Sequence, residues 1–138
     1  MSSSLAYRIA SVLLVLFALG HTIGFRKPAD QGEGVAVGTL MKSVHVAVQG
    51  SRRTFWDFYV GFGLFATVFL LLSAFLAWQL GGLSREALSQ TPSAATWGLA
   101  VAFGVITVMT WRYFFVVPGV FSTLVTIFLF IGAWSAGK

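Results

Sequence analysis

The chain has 138 residues, 57% of them hydrophobic and 9% charged, and its mean hydropathy is +0.86. Soluble domains carry about 25% charged residues, and a soluble fold of this size could not hide so much apolar surface, so the composition implies a membrane protein. There is no cysteine, which excludes a disulfide, a thiolate metal site and a thiol nucleophile. The net charge of +5 sits on cations that flank apolar stretches, so it points to topology and anionic headgroups and not to nucleic acid.

Leu5 to Phe25 is the first apolar stretch, with Arg8 one turn in, where a long side chain can snorkel to the headgroups. Ala18-Leu19-Gly20 has the small-x-small form of a signal cleavage site. We expect the segment to be retained, and at this length it should then span a bilayer. Its end, Gly20-His21-Thr22-Ile23-Gly24, is a GxxxG pattern that would let another helix approach closely.

Arg26 to Arg53 is the one substantial polar segment. Arg26 to Gly34 reads as loop. Over residues 35–49, Val37, Leu40, Met41, Val44 and Val48 follow helical spacing, while Val44, Val46 and Val48 also alternate as a strand would. The expectation is an amphipathic interfacial helix, because an isolated strand edge near lipid lacks hydrogen-bond partners.

A second span is expected over residues 55–80, closed by Gly81-Gly82, and Thr91-Pro92 then has the form of an N-cap followed by a first-turn proline. Ala94 to Ala136 is almost uninterrupted apolar sequence. As one helix it would run to roughly 65 Å, about twice the hydrocarbon thickness, so it must fold back. The turn is expected between Trp111 and Gly119, where Arg112 is the only charge. That gives spans over 94–112 and 118–136, and an all-α, four-transmembrane-helix up-down bundle with a short amphipathic segment between the first two spans, in a single domain. Basic residues favour the face bearing Arg26, Lys27, Lys42, Arg52, Arg53 and Arg112 over the face bearing Arg8, Arg85 and Lys138. The first-loop face is therefore expected to be cytoplasmic, in a bacterial inner membrane.

In that topology His21, Asp57, Tyr59, Arg112 and Tyr113 share one membrane face, covered by the loop that carries Glu33, Lys42 and His45. Thr54-x-x-Asp57 matches the capping-box pattern, so Asp57 has a structural reading beside a functional one, as a polar anchor paired with Arg112. His21 is read either as an interhelical hydrogen-bond donor or as a proton donor or acceptor toward a ligand. Trp56, Tyr59, Tyr113 and His45 are the candidate pocket walls. His21, His45, Asp30, Glu33 and Asp57 show no short-spaced ligand motif, so neither a metal nor a cofactor is expected.

Gly20-His21-Thr22-Ile23-Gly24-Phe25, followed by Phe55-Trp56-Asp57-Phe58-Tyr59-Val60-Gly61-Phe62-Gly63, resembles an uncharacterised family of small four-span bacterial membrane proteins over essentially the whole chain. In outline the chain is also similar to the DoxX-like and sterol-isomerase-like four-span families. The resemblance implies the four-span architecture and carries no activity. Two functions follow as expectations. One is binding or acting on a membrane-dissolved small molecule of lipid, isoprenoid or quinone type. The other is a structural or accessory subunit that meets other membrane subunits or a second copy.

Overall fold

The computed structural model describes residues 1–27 and 31–137. Pro28, Ala29, Asp30 and Lys138, read above as loop, as a non-ligand carboxylate and as a terminal cation, lie outside them. Among the described residues the order of elements is α1 (Ser3–Arg26), α2 (Glu33–Ser43), β1 (His45–Val48), β2 (Ser51–Thr54), α3 (Phe55–Gly82), α4 (Arg85–Gln90), α5 (Ser93–Tyr113) and α6 (Val116–Ala136). The helices α1, α3, α5 and α6 are long and apolar enough to cross a membrane. At 1.5 Å per residue the shortest of these reach about 31 Å, the hydrocarbon thickness of a bilayer. The protein is an all-α, four-span membrane protein.

The chain divides into two units, Met1–Phe17 with Phe69–Lys138, and Ala18–Val68. In the first unit the four long helices form an antiparallel ring. Along α1 and α3, the Ser4 hydroxyl donates to the Gly81 carbonyl and Ser11 Oγ donates to the Ala74 carbonyl at 2.8 Å. Phe69 of α3 stacks on Phe103 of α5 at 6.2 Å. Two hydroxyl pairs join α5 to α6, Thr107 with Thr126 at 2.8 Å and Thr110 with Ser122 at 2.7 Å. The ring closes between α6 and α1, where Phe17 stacks on Phe121 at 5.5 Å and the Tyr7 ring lies over Gly132. A methyl group on Gly132 would meet Tyr7 Cζ at 2.9 Å, so only glycine admits the ring.

The buried side chains of this unit are mostly small: Ala6, Ala10, Ser11, Ala74, Ala77, Ala100 and Ala133. Many large apolar ones point outward, with Val108 71% exposed. This inverts the pattern of a soluble protein, as hydrocarbon surroundings require. Lipid tails give no hydrophobic drive for helix association, so close backbone approach and interhelical hydroxyls hold the ring together.

The fold-back between α5 and α6 falls at Phe114 and Phe115, with the Phe114 N–H bonded to the Thr110 carbonyl at 2.9 Å. The Trp111 ring packs on Gly119 and Trp111 Nε1 donates to Thr123 Oγ1 at 3.0 Å, which ties the two helices one turn from the bend. Pro118 sits in the first turn of α6, where its missing N–H leaves no helical bond unmade.

Thr91 is not the N-cap of α5. It ends α4, its hydroxyl donating to the Ala87 carbonyl at 2.9 Å, and Pro92 takes the N-cap position of α5 without a side-chain bond. The residue before a proline is pushed to extended backbone, which suits a helix end as well as a helix start.

In the second unit the helix expected over 35–49 starts earlier, at Glu33 inside the stretch read as loop, and is shorter. It ends at Ser43, and residues 45–48 are a strand. An unpaired edge disfavours a strand near lipid, and the chain pairs that edge locally. β1 pairs antiparallel with β2, in the register His45 to Thr54 and Val48 to Ser51. The two residues between the strands, Gln49 and Gly50, have φ of 48° and 79°, the doubly left-handed backbone of a tight hairpin turn. The Phe55 N–H then bonds to the Val44 carbonyl at 3.3 Å, which hands the hairpin directly to α3.

Candidate functional site

The predicted site residues are divided between the units. His21, His45, Trp56, Asp57 and Tyr59 belong to Ala18–Val68, whereas Arg112 and Tyr113 end α5 in the other unit.

Within Ala18–Val68, α1 and α3 meet through polar and aromatic contacts. His21 Nε2 lies 3.1 Å from the Gly63 carbonyl oxygen. A carbonyl only accepts, so this nitrogen carries the proton. Thr22 Oγ1 pairs with Thr67 Oγ1 at 2.8 Å. The Phe25 ring fills the space over Gly63, where a methyl group would meet it at 2.7 Å. From there an aromatic run continues: His21 to Phe25 at 5.1 Å, Phe25 to Tyr59 at 6.2 Å and Tyr59 to Trp56 at 5.5 Å, with Lys42 Nζ 4.7 Å from the Trp56 ring. His21, Tyr59 and Trp56 thus lie along one row, and ring packing fills that row. Gly20 and Gly24 have open space around them, so the close approach falls at Gly63 and not at the GxxxG pair.

Asp57 closes a reciprocal capping box. Its Oδ2 accepts from the Thr54 N–H at 2.8 Å, and its own N–H donates to Thr54 Oγ1 at 3.1 Å. His45 stands opposite Thr54 in the hairpin, and its Nδ1 lies 2.9 Å from the Ser43 carbonyl oxygen. In the other unit the Arg112 guanidinium lies 5.5 Å from the Tyr113 ring. Among the described residues no three His, Asp or Glu side chains gather as metal ligands would.

One hollow of the first unit was missed from the sequence. It is an open groove of about 480 Å³ between α1 and α3. Ser11 and Ala74 form a buried floor, 5% and 3% exposed. Val12, Leu16, Leu71 and Phe75 form half-exposed walls, and Trp78 stands at one end. The Arg8 guanidinium lies 3.5 Å from the centre of the Trp78 ring. The stem of Arg8 crosses Gly81, where a methyl group would meet its Cγ at 3.1 Å. The available signal was small residues at matched spacing, Ser4 and Ser11 on α1 and Ala74 and Gly81 on α3, each pair seven apart. A second hollow of about 360 Å³ is more polar and is bounded by Ser2, Ser4, Arg85 and Ser135.

Fold and grooves together define a small multi-pass membrane protein. No family model matches the chain, and neither does any curated protein or solved structure.

Proposed function

We propose that the protein binds a membrane-dissolved amphiphile of lipid, isoprenoid or quinone type, whose hydrocarbon chain lies in the α1–α3 groove. The observation that carries this reading is the groove itself. Its floor is set by two small side chains, Ser11 and Ala74, at the point where a hydrogen bond between them holds the two helices together. In a bilayer a hydrocarbon must fill it, and large apolar walls with a single hydroxyl below suit a chain. His21 does not favour a ligand contact. Its Nε2 is engaged by Gly63 and its neighbour Phe25 occupies the adjacent space. That same engagement supports the alternative, an accessory subunit without chemistry.

The test is the hydrocarbon content of the purified chain. Native mass spectrometry should find a retained amphiphile in the wild type and little in Val12→Trp, which fills the groove from a half-exposed wall. Val108→Trp, on the exposed side of α5, should retain it fully. Equal retention in both variants would contradict the reading.

A further inference from the structure

We infer that the head of the bound amphiphile is the phosphate of an anionic glycerophospholipid, held by Arg8 at the Trp78 end of the α1–α3 groove. This rests on the groove reading above and gives it a ligand class.

Four observations converge on Arg8. First, its guanidinium is fixed. It lies flat enough over Trp78 to bring Cζ within 3.5 Å of the ring centre, and the Gly81-Gly82 pair leaves room for it, with Nη2 3.5 Å from where a methyl group on Gly82 would stand. Stacking on an aromatic face orders the planar fork and leaves its N–H edges facing outward. Second, those edges are unspent. A guanidinium has five N–H donors, and among the described residues none of them finds a carboxylate, carbonyl or hydroxyl acceptor on the protein. Third, the depth is that of a headgroup. Arg8 is five residues into α1 and Trp78 four residues from the end of α3, roughly 6–8 Å along each axis. A cation at that depth requires an anion or water. Fourth, the groove continues from Trp78 past Ser11 and Ala74 to Leu16 and Leu71, about 10 Å further along α3. Cation and chain-binding surface are thus contiguous and in the order of a lipid's own head and tail. Arginine pairs bidentately with phosphate oxygens, a geometry a zwitterionic lipid also offers, but only an anionic lipid brings a net charge to compensate the cation.

The experiment uses the full chain in detergent, incubated with an equimolar mixture of dioleoyl-phosphatidylglycerol and dioleoyl-phosphatidylcholine and read by native mass spectrometry. The wild type should retain phosphatidylglycerol about tenfold over phosphatidylcholine, the ratio that one charge-assisted contact supplies. Arg8→Gln should still retain lipid but with the two species near parity. Gly82→Asp leaves Arg8 in place and sets a carboxylate beside Nη2 at an exposed helix end. It should abolish the preference in the same way, and it keeps the test valid if Arg8→Gln fails to fold. Retention of both lipids at parity by the wild type would overturn the anionic head and leave the groove standing. A preference that persists in Gly82→Asp and Arg8→Gln would overturn Arg8 as its source. Retention of neither lipid would overturn this inference, and the groove reading falls with it only if the purified chain also retains no other amphiphile.

Discussion

Ala18–Val68 and the remainder of the chain divide the physical work unequally. Among the described residues, every fully buried apolar side chain except Ala18 lies in the unit made of residues 1–17 and 69–138. Both histidines and most of the charged groups lie in Ala18–Val68. The polar unit is held by a hairpin turn, a capping box and a row of rings. The other is held by interlocked small residues and hydroxyls. The comparison teaches that ionisable side chains, which stand out in an apolar sequence, mark where the chain meets water or headgroups. They need not mark where it leaves a groove. The open groove is in the unit with few charges, beside Arg8, whose donors find no acceptor on the protein among the described residues.

Substitutions at glycine should break the comparison most sharply. Gly132→Ala forces a methyl group into the buried Tyr7 ring and should cost about 1–3 kcal/mol, visible as a lowered midpoint in a thermal-shift assay in detergent. Gly63→Ala meets Phe25 just as closely, but Phe25 is part-exposed and can swing away, so the loss should be smaller. Equal losses would mean that Ala18–Val68 packs as rigidly as the rest. Next in size is Ser122→Ala, which strips Thr110 of its partner across α5 and α6 and should cost roughly 1 kcal/mol by the same assay. An unchanged midpoint would remove the hydroxyl pairs from the account of stability.

Thr54→Ala opens the capping box at the start of α3. It should raise amide exchange at residues 55–58, with about 1 kcal/mol lost locally and little change in the midpoint of the whole protein. A large global loss would show the hairpin to be part of the main cooperative unit. The smallest effect should be Tyr7→Phe, and its sign is opposite. The Tyr7 hydroxyl is buried and has no partner among the described residues, so its removal should leave the midpoint unchanged or raise it. A clear loss would mean that a group outside the described residues accepts from it.

Much of the fold was legible because hydrocarbon surroundings impose few choices. A run of 43 residues from Ala94 to Ala136 has to bend, and Arg112 and the aromatic residues around it gave the place. The capping box at Thr54 and Asp57 could be read because it is a local bond set by spacing of three. The hairpin was not, since β2 is Ser-Arg-Arg-Thr, with no apolar alternation to reveal it. Only the pair Gln49-Gly50, after the alternating valines, hinted at a turn. The groove was hidden for another reason. Arg8 read as a snorkelling cation, and nothing local to it shows that Gly81-Gly82, more than seventy residues away, makes room for its guanidinium over Trp78.

The claim on which most depends is that the α1–α3 groove holds an anionic lipid against Trp78 and Arg8. Trp78 reports on it directly, as the difference in fluorescence between wild type and Trp78→Phe in phosphatidylcholine vesicles titrated with lipids brominated on their chains. The account predicts that the Trp78 component is half-quenched at a brominated phosphatidylglycerol fraction about tenfold lower than the brominated phosphatidylcholine fraction that does the same. Superimposable titrations with the two lipids would contradict it.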